Sequence, residues 1–478
     1  MKKRVQLSLF FILFLTASFI SKGLDAHPLR EVIEALIPQE SSEDLAFGFL
    51  VADLNTGEMI YSKNSDLLLN PASNTKILTS LVALAMLGPD FTFKTQFLAI
   101  PSKDSSTLFA LTLKGMGDPF FSSAQLQSMA HQLKEKGIKK IENLYVDGSF
   151  FDNEDFPGQM EGRQKDAIFN CNVGALSIDH NLLEVVVSPE DKIGKTAKVE
   201  INPPLPSFPI KDEVGTLSKG SRIVVRNNPQ SEDDLTIAVK GNIALKSESQ
   251  SFKISVHHPS QLASLHLLQA LQNEGIELPT QAEIKAVPFG SLPLFETKSA
   301  PLLQILQEMN KQSDNFIAEQ ITKFLGAKFG GTPGSTAKGT QVIIKKLKDM
   351  GVSTEGLVLE NGSGLSKINR VSVQTLSQVL SKTYKDIFLR GNFISTLSVL
   401  GMDGTLRKKF RNSDVAGRFF GKTGTLNGVS ALSGYVFPKS YEDTHSAFVY
   451  TFILNGNGKD FWKQKQVFQD ILELLLNT

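Results

Sequence analysis

The sequence predicts a mixed α/β protein with a β-rich module nested in its middle. Three observations carry this reading. Residues 46–64, "AFGFLVADLNTGEMIYSKN", read as strand, turn and strand around Asn55-Thr56-Gly57, and a nearly all-apolar helical stretch follows. The last part of the chain returns to two strands, "GYVF" and "HSAFVYTFIL", and a final helix. Between them the character changes. From about 171 to 251 short strands alternate with Pro and Gly turns: "LLEVVVSP", "AKVEIN", "SRIVVRN" and "LTIAVKG".

The elements follow in order. Lys2, Lys3 and Arg4 precede "VQLSLFFILFLTASFI", a charged n-region and an apolar h-region as in a secretory signal peptide. We assign residues 1–26 to it, with cleavage after Gly23 or Ala26. A retained anchor is the alternative, but the run is short for a membrane span. In "LLLNPASNTKILTSLVALAMLGPD", Pro71 suits the first turn of a helix and Gly88-Pro89 ends it. Ile77, Leu78, Leu81, Val82 and Leu84 leave few polar positions, so this helix is expected to be buried nearly all round. "STLFALTLKGMGDPFF" is a strand and a Gly-Asp-Pro turn, "SSAQLQSMAHQLKEKGIK" an amphipathic helix, and "KIENLYVDGSFF" a strand. "SLHLLQALQNEGI" is a helix, and longer helices resume from about 288. The C-terminal "KDFWKQKQVFQDILELLL" is amphipathic. Packing on a sheet is expected of it, with a membrane surface as the alternative.

Composition bounds the function. The chain has 478 residues, enough for two or three domains, and its 50 basic and 49 acidic residues leave a net charge of +1. That balance argues against a nucleic-acid or anionic-membrane binder. Cys171 is the only cysteine, so no internal disulfide forms, and a buried inert thiol is expected. The seven histidines are scattered; His257-His258 lacks zinc-site spacing. No G-x-G-x-x-G or P-loop is present, and no metal or cofactor is expected.

"PASNTKILTS" places Ser73 and Lys76 one helical turn apart, a nucleophile beside a base. Alone, S-x-x-K is weak: about two copies arise by chance in a chain of this length, and Ser335-Thr336-Ala337-Lys338 is a second copy here. Downstream lie Ser313-Asp314-Asn315 and Lys422-Thr423-Gly424. S-x-x-K, S-x-N and K-T-G in that order form a signature set, and no S-x-N lies between Ser335 and the K-T-G. The chemistry explains the residue types. Helix-start N–H groups near Ser73 favour negative charge on an attacked carbonyl. Lys76 acts as base only when neutral, which burial or a nearby cation such as Lys422 promotes. Ser313 can relay a proton and Asn315 can orient Lys76. K-T-G belongs on an edge strand, where Gly424 admits a substrate backbone and Lys422 and Thr423 hold a terminal carboxylate. The N–H groups of Ser73 and Thr425 would form the oxyanion hole.

Spacing narrows the family. Lys76 to Ser313 is 313 − 76 = 237 residues, and Asn315 to Lys422 is 422 − 315 = 107. A class A β-lactamase has a far shorter first interval and an E-x-x-L-N loop not found here. With "GMGDPFFSS", "YVDGSFFD", "GALSIDHNLLEVVVSP", "ENGSGLSKINRVS" and "LSVLGMDGTLRKKF", the chain resembles the class C low-molecular-mass penicillin-binding proteins, the D-alanyl-D-alanine carboxypeptidase/endopeptidases. The resemblance implies an α/β (α+β) transpeptidase/β-lactamase-like catalytic domain, an antiparallel sheet flanked by helices, from 27–95 and 288–478. It implies an inserted mixed domain from 96–170 and 252–287, and a nested β-rich domain at 171–251. It implies a periplasmic hydrolase of peptidoglycan stem peptides, with β-lactams as covalent inhibitors and no nucleic-acid partner; the oligomeric state stays open. A β-lactamase and a non-catalytic cell-wall scaffold are the rival readings. Asp147 aligns with a family position that meets the stem-peptide side chain; the alternative is an aspartate capping the Gly148-Ser149 turn. Lys367 replaces an arginine common in the family. With Asp147 on its ammonium and Lys367 on its carboxylate, diaminopimelate would be preferred over lysine.

Overall fold

The computed structural model describes residues 26–37, 44–154, 172–205, 208–227, 235–409, 413–441 and 446–478. The signal-peptide stretch up to residue 25, Cys171 and His445 lie outside the described residues. In chain order the strands begin with β1 (Leu45–Asp53) and β2 (Met59–Lys63). Next come β3 (Lys94–Pro101), β4 (Thr107–Gly115), β5 (Lys140–Asp147), β6 (Leu182–Ser188), β7 (Lys198–Asn202) and β8 (Ile210–Leu217). Then follow β9 (Arg222–Asn227), β10 (Ile237–Ala244), β11 (Gln250–Ser255), β12 (Glu283–Ile284) and β13 (Leu292–Lys298). The last four are β14 (Ser398–Val399), β15 (Phe419–Leu426), β16 (Val429–Val436) and β17 (Phe448–Gly456).

The chain forms two compact units. The first takes the described residues up to Asn74 with Val352–Leu357 and Arg370–Thr478; the second takes Thr75–Gly351 and Val358–Asn369. In the first, a six-stranded sheet runs β14-β15-β16-β17-β1-β2, and each neighbouring pair is antiparallel. Period-two alternation aims Phe47, Phe49 and Val51 of β1 at one face. There they join Phe452 and Leu454 of β17, Ile33 of the Ala26–Leu36 helix, and Phe468, Ile471 and Leu475 of the Gly458–Asn477 helix. The C-terminal helix thus packs on the sheet, its apolar stripe spent on the core. Phe468 stacks on Phe452 at 4.7 Å between ring centroids and on Phe49 at 5.2 Å. The Val373–Lys385 helix covers the other face, where Ser377 Oγ donates to Thr451 Oγ1 at 3.2 Å and Tyr435 donates its hydroxyl proton to the Leu380 carbonyl at 2.9 Å.

Among the described residues the second unit holds three sheets. A mixed five-stranded sheet runs β12-β5-β4-β3-β13, parallel for β12/β5 and β5/β4 and antiparallel for the rest. The Ser123–Glu135 helix, opened by a Ser122–Gln125 capping box, and the Pro259–Asn273 helix share its core. Two three-stranded sheets, β11-β6-β7 and β8-β10-β9, enclose a separate core around Val185, Ile237, Val239 and Leu262. Four helices complete the unit: Thr75–Leu87, Leu302–Lys311, Asn315–Gly330 and Thr336–Asp349.

These units divide the chain differently from the sequence-based boundaries. β13 lies beyond 287, yet it pairs with β3 from Lys94 to Ala99, so the five-stranded sheet draws on residues assigned to the catalytic segment. The helices between Leu302 and Asp349 fall in the second unit and not with the six-stranded sheet. β8 and β11 add two strands to the β-rich module; β11 crosses the expected edge at 251. β8 contains Lys211, Asp212 and Glu213, and such polar residues hide a half-exposed strand from a hydrophobicity reading.

Phe468→Ala should lower the unfolding free energy by about 3–5 kcal/mol, because it empties a fully buried aromatic site. Trp462→Ala, at a side chain 65 % exposed, should change it by less than about 0.5 kcal/mol. Denaturant titration of the two variants checks the pair.

Candidate active site

The chain passes from the first unit to the second between Asn74 and Thr75, inside the S-x-x-K stretch. In the first unit, Ser73 sits half-buried in a 3-10 turn, Ala72–Asn74. The turn is held from several sides. Asn70 and Asn455 exchange amide bonds, with Asn70 N donating to Asn455 Oδ1 at 2.8 Å and Asn455 Nδ2 to the Asn70 carbonyl at 3.0 Å. Ala72 N donates to Asn70 Oδ1 at 2.8 Å, which supports a positive φ of 45° at Ala72. Asn74 Nδ2 donates to Ser433 Oγ at 2.9 Å. Ser433 is the register partner of Lys422 across β15 and β16, so one serine ties the nucleophile turn to the K-T-G strand.

The strand carries the second half of this cluster. β14 pairs with β15 only at Phe420 and Gly421, so from Lys422 to Leu426 the described strands pair β15 on one side alone. That is the edge expected for K-T-G. A Cβ on Gly424 would fall 2.6 Å from the Pro71 carbonyl oxygen and 3.3 Å from Ala72 Cβ, so only glycine lets this strand lie against the serine turn. Lys422 is fully buried and donates from Nζ to the Thr423 carbonyl at 2.9 Å. Thr423 donates from Oγ1 to Thr405 Oγ1 at 2.8 Å, in the "GMDGTL" turn whose Asp403 accepts from Val399 N at 2.7 Å. Thr425 is exposed on the open edge.

In the second unit, Lys76 lies on the first turn of the Thr75–Leu87 helix and is fully buried. Its Nζ donates to Asn315 Oδ1 and to the Ser363 carbonyl, both at 2.6 Å. Asn315 opens its helix behind Asp314, whose side chain accepts from Ile317 N at 2.9 Å. Ser313, in the turn before it, takes a positive φ of 61°, a conformation few non-glycine residues hold without support. The loop beneath Lys76 is "ENGSGLSKIN". Thr79 donates from Oγ1 to the Gly362 carbonyl at 2.8 Å, and Asn369 Nδ2 reaches Asn361 Oδ1 at 3.1 Å. A Cβ on Gly362 would fall 1.8 Å from Thr322 Oγ1.

One group here escaped the sequence reading. Glu319 stands four residues after Asn315, on the same helix face, and is fully buried. It accepts from Ser363 N at 2.7 Å and Gly362 N at 3.4 Å. Burial raises its carboxyl above the ordinary range, outweighing the Ser363 hydroxyl, the two N–H groups and the charge of Lys76, which pull it down. Its only sequence signal was the i, i+4 relation to Asn315.

The other singled-out residues have plainer surroundings. Ser335 caps the Thr336–Asp349 helix, accepting from Lys338 N at 3.0 Å, and Lys338 donates from Nζ to the carbonyls of Gly331 and Pro333. This second S-x-x-K is a helix start. Asp147 ends β5, 1 % exposed; Oδ1 accepts from Ser149 N at 2.9 Å, Oδ2 from Val287 N at 3.2 Å, and Lys114 Nζ stands 3.8 Å away. That is the turn-capping geometry. Lys367 is exposed in the loop that holds Lys76. Among the described residues, no group of His, Cys, Asp and Glu is placed to hold a metal, and no helix is long and apolar enough to cross a membrane.

The D-Ala-D-Ala carboxypeptidase 3 (S13) family model matches residues 29–475. The chain belongs to this family. This S13 member is 30 % identical over 434 residues to a D-alanyl-D-alanine carboxypeptidase of Actinomadura sp. (strain R39), covering 87 % of this chain and 80 % of that one. It is 26 % identical over 406 residues to the D-alanyl-D-alanine carboxypeptidase DacB of Haemophilus influenzae, covering 84 % of each. Its fold matches the crystal structure of penicillin binding protein 4 from Haemophilus influenzae with a TM-score of 0.79 at 23 % identity, covering 94 % of this chain and 99 % of that one. A second structure of that protein, matched at 0.74 and 22 % identity with the same coverage, holds a β-lactam.

Asp147→Ala should leave two backbone N–H groups unanswered in a buried turn. We expect a loss of about 1–3 kcal/mol of stability per unanswered group, read as a lower denaturant midpoint.

Proposed function

We propose that this S13 member is a serine-type D-alanyl-D-alanine carboxypeptidase, with DD-endopeptidase action, that works on peptidoglycan through an acyl-enzyme at Ser73. The observation that carries the reading is the Ser73 turn lying against a K-T-G strand with an open ladder edge. Family membership and the ordered motifs support it.

In this mechanism the terminal D-Ala-D-Ala segment adds alongside β15 in extended form, pairing with the backbone past Lys422. Lys422 and Thr423 receive its carboxylate. Ser73 Oγ attacks the penultimate carbonyl carbon and gives its proton to Lys76. The N–H groups of Ser73 and Thr425 receive the developing oxyanion. Ser313 relays that proton from Lys76 to the leaving amine, D-alanine departs, and water hydrolyses the ester to restore Ser73. Asn315 keeps Lys76 Nζ oriented throughout. An endopeptidase event differs only in the leaving amine, which then belongs to the side chain of a neighbouring stem peptide. β-Lactams mimic the scissile amide and stop at the ester. Asp147, whose carboxylate accepts from Ser149 N and Val287 N, is not used in these bond-making steps. The charged and apolar stretches ahead of Ala26 support export by a signal peptide to the periplasm, where this substrate is found.

Labelled benzylpenicillin should attach to Ser73. Ser73→Ala should abolish labelling and Ser335→Ala should leave it nearly intact; an adduct found by mass spectrometry on Ser335 would move the site.

Lys76→Arg should slow acylation by roughly 100-fold or more, because arginine keeps the charge but does not deprotonate in a protein. A loss below about tenfold would remove Lys76 as the base.

A further inference from the structure

Glu319 is the buried titratable group that the mechanism above leaves unused. It is fully buried on the Asn315–Gly330 helix, and burying a carboxylate is costly unless hydrogen bonds and an opposite charge answer it. Both are present. The peptide of Ser363 serves two partners at once: its N–H donates to Glu319 Oε1 at 2.7 Å, and its carbonyl accepts from Lys76 Nζ at 2.6 Å. Lys76 is a charge that acts on the Glu319 carboxyl and pulls it down. The neighbouring charges are directed elsewhere. Lys323, one turn further along the helix and also fully buried, donates to Asp152 Oδ1 at 2.6 Å and to the Glu154 carbonyl. Asp314 caps the helix start. Glu360, in the loop, accepts from the Ser366 hydroxyl.

We propose that Glu319 is a positioning residue for the reaction: through Ser363 it fixes Lys76 Nζ in place, and its negative charge sets how readily Lys76 holds a proton. This deepens the proposed function and rests on Lys76 being the base. The carboxylate acts in two directions. It favours the ammonium that forms when Lys76 takes the Ser73 proton, and it lowers the fraction of neutral Lys76 before attack. Asn315 supplies orientation without charge; Glu319 supplies charge without touching the substrate.

The test is the pH profile of benzylpenicillin acylation. Glu319→Gln keeps an acceptor oxygen for Ser363 N and removes the charge, so Lys76 should lose its proton more easily. The rising limb of acylation rate should move to lower pH by about one unit or more, and the plateau should fall, as expected when a counter-charge is removed. Glu319→Asp, which keeps the charge, should hold the limb near its original place. A limb that stays put in Glu319→Gln would overturn the proposal and leave Glu319 as a packing group.

A second measurement does not depend on that variant folding. In Lys76→Met the buried carboxyl loses its counter-charge and should keep its proton to higher pH. The unfolded chain releases that proton near the ordinary value of 4.5, and the folded chain only later. Stability is therefore full below the unfolded pKa and is lost as pH rises towards the folded one. The melting temperature of Lys76→Met should fall relative to the unmutated protein as the pH rises above the ordinary value of 4.5; parallel profiles would overturn the proposal. Failure of the unmutated chain to acylate at Ser73 would remove the proposed function instead, and the melting experiment would still decide whether Lys76 and Glu319 are paired.

Discussion

A lysine ammonium with no exposure to water is the constraint on which the second unit's site depends. Removing such a charge from water costs several kcal/mol in a protein unless polar partners replace the lost hydration. Lys76 meets that demand with an amide oxygen, a backbone carbonyl and a nearby carboxylate. Each partner then makes demands of its own. Asn315 must open a helix, which Asp314 caps. The Ser363 carbonyl must face inward, so its loop closes around Asn361 and Asn369 and admits only glycine at position 362. Much of the polar interior of this unit follows from keeping one amine dry and held in place.

The first unit solves a different problem, that of holding Ser73 on a short turn against a sheet. Paired asparagine amides do this without charge. Asn70 with Asn455, and Asn74 with Ser433, fix both ends of the turn, and their register on β16 and β17 fixes its height above the sheet. The aromatic stack of Phe49, Phe452 and Phe468 beneath β1 and β17 keeps that floor rigid. Precision at the serine therefore rests on ordinary sheet packing two layers away.

The sequence made legible those features whose chemistry lies in short local patterns. The three motifs stood out because residue type, order and setting agreed, and the decoy Ser335 failed on order; its role as a cap confirms how little a lone S-x-x-K means. The strand pair at the start and the C-terminal helix showed clear periods. What stayed hidden depends on contacts distant in the chain. Glu319 sits in a run of helix formers, where a glutamate reads as surface charge until Ser363, 44 positions further along the chain, folds over it. Ser433 and Thr405 are unremarkable by type and matter only through register and a turn. β13 looks like any short strand, and its pairing with β3 spans roughly two hundred residues. Asp147 was ambiguous for a good reason: a turn aspartate and a recognition aspartate share one local sequence, and its bonds to Ser149 N and Val287 N are visible only in the fold.

The brevity of β14 has a consequence for the folded chain in company. A bare ladder edge is a template on which any extended segment can grow, including one from another copy of the same protein. Here β14 covers only Phe420 and Gly421, and the stretch from Lys422 to Leu426, paired on one side alone by the described strands, is five residues long, roughly 17 Å at the usual rise of a strand. Its far end closes at once in the turn to β16, and a glycine at its centre weakens any long partner that tries to nucleate there. The edge is thus too brief to seed a sheet.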